Sequence, residues 1–167
     1  QIEEILARED ELAVVAKHLA TAENLFFVGR VRGFPVAREG AQKFKEISYR
    51  HAEAYQTSEL KHGPLALISP EVPTVAIVPA DELVERNVAA LHEIAARGGP
   101  LTVVTHAEVD LGDLSGTVHR IDVPRTEREL DPILLTIPLQ LLAYHAALEL
   151  GHDIDKPRNL AKSVTVE

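Results

Sequence analysis

The side chains able to do chemistry in this 167-residue chain are few and far apart. Lys43 and Glu46 stand three residues apart in KFKEISYR (Lys43 to Arg50), on a segment with helical periodicity, so they share one face. One reading is a solvated ion pair, contributing a few tenths of a kcal/mol, roughly. The other is a carboxylate base beside an ammonium at the rim of a pocket. Such a pair can move a proton on a carbon next to a carbonyl or imine.

His62 lies in SELKHGPLAL (Ser58 to Leu67), directly before Gly63 and Pro64. An imidazole can serve as acid or base near neutral pH, although a lone histidine is often a surface residue and this chain has eight. Gly63 and Pro64 impose an abrupt backbone stop after it, and the apolar Leu65 to Ile68 is expected to return to the core. The tail PRNLAKS (Pro157 to Ser163) carries Lys162. It reads either as a frayed terminus or as a docking segment whose lysine, in a partly closed apolar pocket, forms a Schiff base with a sugar carbonyl.

Other chemistries are excluded or poorly supported. With no cysteine there is no thiol nucleophile, disulfide or cysteine zinc site. His51 and Glu53 have no third ligand nearby in sequence and no H-E-x-x-H occurs, so no metal is expected, nor any cofactor. GRVRG (Gly29 to Gly33) sits where exposed N–H groups can hold an anion, yet it matches neither GxGxxG nor a P-loop. A plain strand-to-helix turn is the preferred reading of it. A net charge of -9 argues against a general nucleic-acid surface. QIEEILARED lacks the apolar region of a secretory signal, which favours the cytoplasm. Ile133 to Leu150 is interrupted by Pro138, Gln140, His145 and Glu149, and reads as a buried helix and not a membrane span.

These residues must be held by a framework, and the patterning predicts one. Amphipathic spacing gives a helix over 2–19, and Pro35 opens another that runs to about Tyr49. Asp81 is expected to cap a third helix stopped by Gly98, and Asp131-Pro132 to start a fourth, kinked at Pro138 and ending near Leu150. LFFVG, VPTVAIVP, LTVVTH and TVHRIDV are apolar strand runs, and HAEAY is a further strand candidate. Near-continuous apolar strands alternating with helices predict an α/β domain. It is a doubly wound three-layer sandwich with a mainly parallel sheet, in which ligands sit beyond the carboxyl ends of the strands.

KEISYRHAEAY and ELKHGPLAL (between Lys45 and Leu67), IPLQLLAYHAAL (Ile137 to Leu148) and the tail DIDKPRNLAKSVTVE (Asp153 to Glu167) carry a longer-range likeness. Together they resemble the C-terminal isomerase region of the glutamine–fructose-6-phosphate aminotransferases, the glucosamine-6-phosphate synthases. The resemblance implies a second sugar-isomerase (SIS) domain over 1–152, with a five-stranded parallel sheet, and a tail over 153–167 that closes the sugar site. It implies fructose 6-phosphate as substrate, glucosamine 6-phosphate as product, homodimerisation, and a first SIS domain and a glutaminase as companion modules.

Residue by residue, the resemblance makes Glu46 the base that shuttles a proton between carbons 1 and 2 of the imine, with Lys43 assisting. His62 opens the sugar ring and reaches the neighbouring subunit's site. Lys162 contacts the ketose or forms an imine with it, and Ala161 lines the sugar. The Ser/Thr-rich S-x-S-G-E-T phosphate loop and the glutaminase cysteine have no counterpart in these residues. The chain by itself is therefore expected to be incomplete. The alternative is a non-catalytic sugar-phosphate sensor, since SIS domains also occur in regulators. A sensor would keep the phosphate loop and could dispense with the base and the tail lysine, the opposite of the pattern here.

Overall fold

The computed structural model describes residues 1–160. Five strands form one sheet: β1 (Asn24–Gly29), β2 (His51–Gln56), β3 (Thr74–Val78), β4 (Leu101–His106) and β5 (Val118–Val123). All neighbouring pairs are parallel and the order is β2-β1-β3-β4-β5. The α/β three-layer expectation and the five-stranded parallel sheet therefore hold, with HAEAY as the edge strand β2.

The helices are α1 (Ile2–Leu6), α2 (Glu9–Thr21), α3 (Gly33–Ser48), α4 (Val84–Ala95) and α5 (Asp131–Glu149). Strand side chains alternate between two cores. Leu25 and Phe27 of β1 and Val75 and Ile77 of β3 pack with α2, α3 and α5. Phe26, Val28, Ala76 and Val78 face the other way, onto Ala90, Leu91 and Ile94 of α4. Period-two alternation in strands apolar on both faces is what places helices on both sides.

Three local expectations are corrected. The helix expected over 2–19 is two helices. Arg8 leaves the helical region (φ -103, ψ 19) because its guanidinium donates to the Asp122 carbonyl at 2.8 Å and pairs with Glu11 at 2.9 Å. Asp81 does not cap α4, which begins at Val84; its Oδ1 instead accepts the N–H of Leu83, the residue just before the helix, at 2.8 Å. Of the Leu65 to Ile68 run only Ile68 is buried, while Leu67 is 62% exposed.

α5 runs unbroken through Pro138. It is long and apolar enough to cross a membrane, yet half of it is packed inside the fold through Leu134, Leu135, Leu139, Leu142, Ala143, Ala146 and Ala147. That is the arrangement of a buried core helix, as its sequence suggests. Ile133, Tyr144 and Leu148 are left exposed along its outer side.

Candidate functional site

α3 carries the chain from the carboxyl end of β1 back to the amino end of β2, so it runs antiparallel to both strands. Its last turn therefore lies beside the start of β2, and that turn holds Glu46. Lys43 Nζ donates to Glu46 Oε2 at 2.9 Å, and Gln42 Nε2 donates to Glu46 Oε1 at 2.7 Å. The buried stripe of the same helix is Val36, Ala37, Gly40, Ala41, Phe44 and Ser48. Helical spacing thus sends Phe44 into the core while Lys43 and Glu46 stay half-buried at the rim.

The hydrogen bond from Lys43, then the one from Gln42, hold the Glu46 carboxyl below its usual range. The same bond to Glu46 raises Lys43. Near neutral pH the site therefore holds a carboxylate beside an ammonium: a base already deprotonated, with a cation at hand for developing negative charge.

Glu46 lines a cleft of 470 Å³ together with Gln42, Lys45, Tyr49, Arg50, His51 and Ala52. Its far wall comes from Arg158, Asn159 and Leu160. The chain after α5 doubles back to reach it. The Arg158 N–H donates to Tyr49 Oη at 3.0 Å, and the Arg158 guanidinium lies 4.2 Å from the centre of the Tyr49 ring. Up to Leu160 the chain is thus in contact with the end of α3. Ala161 and Lys162 lie outside the described residues.

His62 is placed elsewhere. It is exposed at the end of a 3₁₀ turn, Thr57–His62, which follows the carboxyl end of β2. The turn is pinned by fully buried Leu60 and by the Thr57 hydroxyl donating to Asn87 Oδ1 at 3.0 Å. Gly63, at φ 149, then reverses the chain in a region that other residues rarely adopt. β2 separates His62 from the Glu46 cleft, and six residues of strand span roughly 17 Å. Within one chain the structure joins Glu46 and Lys43 but does not bring His62 to them.

At the carboxyl edge of the sheet, where a ligand was expected, a cleft of 680 Å³ is lined by Ala80, Asp81, His92, Glu108 and Asp110 among others, and several side chains pair around it. Arg32 pairs with Asp81 at 3.4 Å, Arg125 with Glu108 at 3.1 Å and Arg128 with Glu82 at 3.0 Å. Arg30 donates to Thr57 Oγ1 at 3.0 Å. The glycines of GRVRG answer to packing. A Cβ on Gly29 would meet the Gly33 carbonyl carbon at 2.5 Å, and one on Gly33 the Ile77 oxygen at 2.7 Å. These close approaches account for both glycines, while the Glu46 cleft lies at the amino edge of β2. Among the described residues no group of three or more His, Asp or Glu side chains could hold a metal.

Residues 18–150 match the SIS domain family. The chain belongs to the SIS domain family. This SIS domain is 50% identical over 163 residues to the glutamine–fructose-6-phosphate aminotransferase (isomerizing) of Bordetella pertussis, and 48% identical over 168 residues to that of Escherichia coli K12. Those alignments cover 98% and 100% of this chain, which spans about a quarter (27%) of the length of each relative. The solved C-terminal domain of glucosamine-fructose-6-phosphate aminotransferase from Francisella tularensis superposes with a TM-score of 0.85 at 40% identity. It matches 93% of this chain and 43% of its own. The aminotransferase likeness read from the KEISY, KHGP and NLAKS segments is thus borne out along the whole SIS domain.

Sequence reasoning missed Gln42, Tyr49 and Arg158. Gln42 was findable, since it stands four residues before Glu46 on the same helix face. Tyr49 and Arg158 are 109 residues apart, and no local pattern announces their contact.

Proposed function

We propose that the chain is the second SIS unit, with its C-terminal tail, of an isomerising aminotransferase. That enzyme converts fructose 6-phosphate to glucosamine 6-phosphate with ammonia released from glutamine by another module. The observation that carries the reading is the cleft shared by Glu46, whose carboxylate accepts from Lys43, and by Arg158, Asn159 and Leu160 of the C-terminal segment. A helix and a terminal segment more than a hundred residues apart have no structural need to frame a cleft together. A base and an imine-forming lysine acting on one sugar do.

In this reading Glu46, as the carboxylate, takes a proton from carbon 1 of the sugar imine and returns it to carbon 2. Lys43 keeps Glu46 ionised between turnovers and offsets charge on the intermediate. Lys162 holds the ketose, and Ala161 packs beside it. His62 opens the ring of a sugar bound by a second copy. Its exposed position, away from the Glu46 cleft of its own chain, suits action across a homodimer. The exposed apolar side chains on α5 suit burial against a neighbouring SIS unit. Such an enzyme works in the cytoplasm on a soluble metabolite and needs neither nucleic acid nor membrane.

The deciding variant is Glu46→Gln, made in the chain joined to its first SIS unit. It keeps the shape and the Gln42 contact but cannot accept the proton. Binding of fructose 6-phosphate should persist, measured by calorimetry. Interconversion with glucose 6-phosphate should fall by about 10²-fold or more. Undiminished interconversion would remove Glu46 from the chemistry.

A further inference from the structure

We propose that a cavity at the amino end of the sheet, lined by His18, Thr102 and His119, binds an amino-substituted nitrogen heterocycle, a flat ring of adenine's kind. The cavity holds 490 Å³, within the range of about 300–1,000 Å³ usual for small-molecule sites. Thr102 and His119 are register partners on β4 and β5, and they alternate in step with Val104 and Ile121. Both side chains therefore point to the α2 side of the sheet, where Val104 and Ile121 pack. There His18 of α2 stacks on His119, with ring centres 5.4 Å apart and planes 18° from parallel. Pro70, Pro73 and Pro100 supply stiff walls around them. The cavity shares no residue with the Glu46 cleft. In the order β2-β1-β3-β4, β4 lies three steps from β2, roughly 14 Å at about 4.8 Å a step.

The lining selects for a ring of this kind. Thr102 is 2% exposed, and its hydroxyl has no hydrogen-bond partner among the described residues. Thr105, likewise buried on β4, donates its hydroxyl to the Val78 carbonyl at 2.7 Å. A buried hydroxyl without a partner costs free energy, and one that lines a cavity recovers it by donating to a ring nitrogen of a ligand. The near-parallel imidazoles and the rigid prolines are surfaces on which an aromatic ring packs. Glu71 stands exposed at the rim, an acceptor for a ring amino group. Anions are poorly served. Among the described residues that line the cavity there is no lysine or arginine. Burial, and then His18, hold the His119 pKa below the usual imidazole range, so its ring is neutral near pH 7. A phosphate or carboxylate would meet Glu71 with no cation to offset it, which sets this cavity apart from a sugar-phosphate site.

The test is calorimetry and saturation-transfer NMR with adenine, on the full-length protein that carries this SIS domain. Adenine should bind saturably with a Kd at or below about 1 mM, within reach of a ligand of so few atoms. Thr102→Val keeps the shape and removes the donor, and should weaken adenine about three- to tenfold. His18→Ala removes an exposed ring, so the fold is kept, and should weaken adenine about threefold or more. Benzoate, a flat ring carrying a carboxylate, should bind at least about tenfold more weakly than adenine. Fructose 6-phosphate should leave adenine binding unchanged. No saturable adenine signal overturns the proposal, as does an affinity that either variant leaves unmoved. Benzoate bound as tightly as adenine would show that charge and hydrogen bonding do not select the ring, and overturns it too. Displacement of adenine by fructose 6-phosphate would place the ring in a sugar site, with the same consequence.

Discussion

At the scale of single residues the site is governed by one short contact, Lys43 to Glu46 at 2.9 Å. Replacing Lys43 with glutamine keeps a donor and removes the charge. The carboxyl of Glu46 then loses its main stabilising partner and retains Gln42, so its pKa rises toward the ordinary carboxylate range. A base must be deprotonated to work, so the acid limb of kcat/KM should move to higher pH in Lys43→Gln. A profile between about pH 4 and 7 reads this directly. An unmoved limb would mean that another group sets it. This pair was legible because helical spacing dictates which side chains three apart can touch. His62 was legible as a residue but not as a location. Nothing in ELKHGP says that six residues of strand keep it from Glu46 of the same chain.

At the scale of elements the cleft depends on how closely α3 approaches the sheet and α5. Gly40 is the point of closest passage. A Cβ there would meet Leu139 Cδ1 at 2.7 Å and Phe27 Cδ1 at 3.0 Å. Both neighbours are almost wholly buried, so neither has space to yield. Gly40→Ala gains about 1 kcal/mol of helix propensity, but overpacking costs about 1–3 kcal/mol. The net expectation is a loss of about 1 kcal/mol, seen as a lower urea midpoint with an unchanged m-value. A raised midpoint would show that α3 can shift outward freely. The strands were readable because all five carry apolar residues of strand type, and α3 because its stripe repeats every three to four residues. Boundaries failed where a distant partner decided them. Arg8 breaks the first helix to reach Asp122, and Asp81 falls two residues before Leu83, the N-cap position of α4. The Arg–carboxylate pairs at the carboxyl edge were also beyond the sequence, since they join residues from separate loops.

At the scale of the whole molecule, buried histidines make stability depend on pH. His106 is fully buried at the end of β4, and its Nδ1 accepts the Ala80 N–H at 3.0 Å. The proton of the neutral ring therefore sits on Nε2, which faces Asp131 Oδ1 at 3.5 Å. Burial lowers the His106 pKa; Asp131 and Glu108 oppose this, while Arg125 and Arg32 reinforce it. His119, stacked on His18 at the other end of the sheet, is lowered by burial and then by His18. A histidine whose folded pKa is depressed binds fewer protons folded than unfolded. Its contribution is complete above the unfolded value, about 6.5, and is lost as pH falls below that. Unfolding free energy should thus decline from pH 6.5 toward 5, by at most about 1.4 kcal/mol per pH unit for each histidine. Urea titrations across that window measure the slope. His106→Asn keeps an acceptor for Ala80 and has nothing to titrate, so it should flatten the decline in proportion to what His106 contributes. If the variant keeps the parental slope, the carboxyl edge does not sense pH through this residue. The Glu46 carboxyl titrates below its usual range, so activity and stability should fail in different windows: the fold softens first, and the base is neutralised only at lower pH.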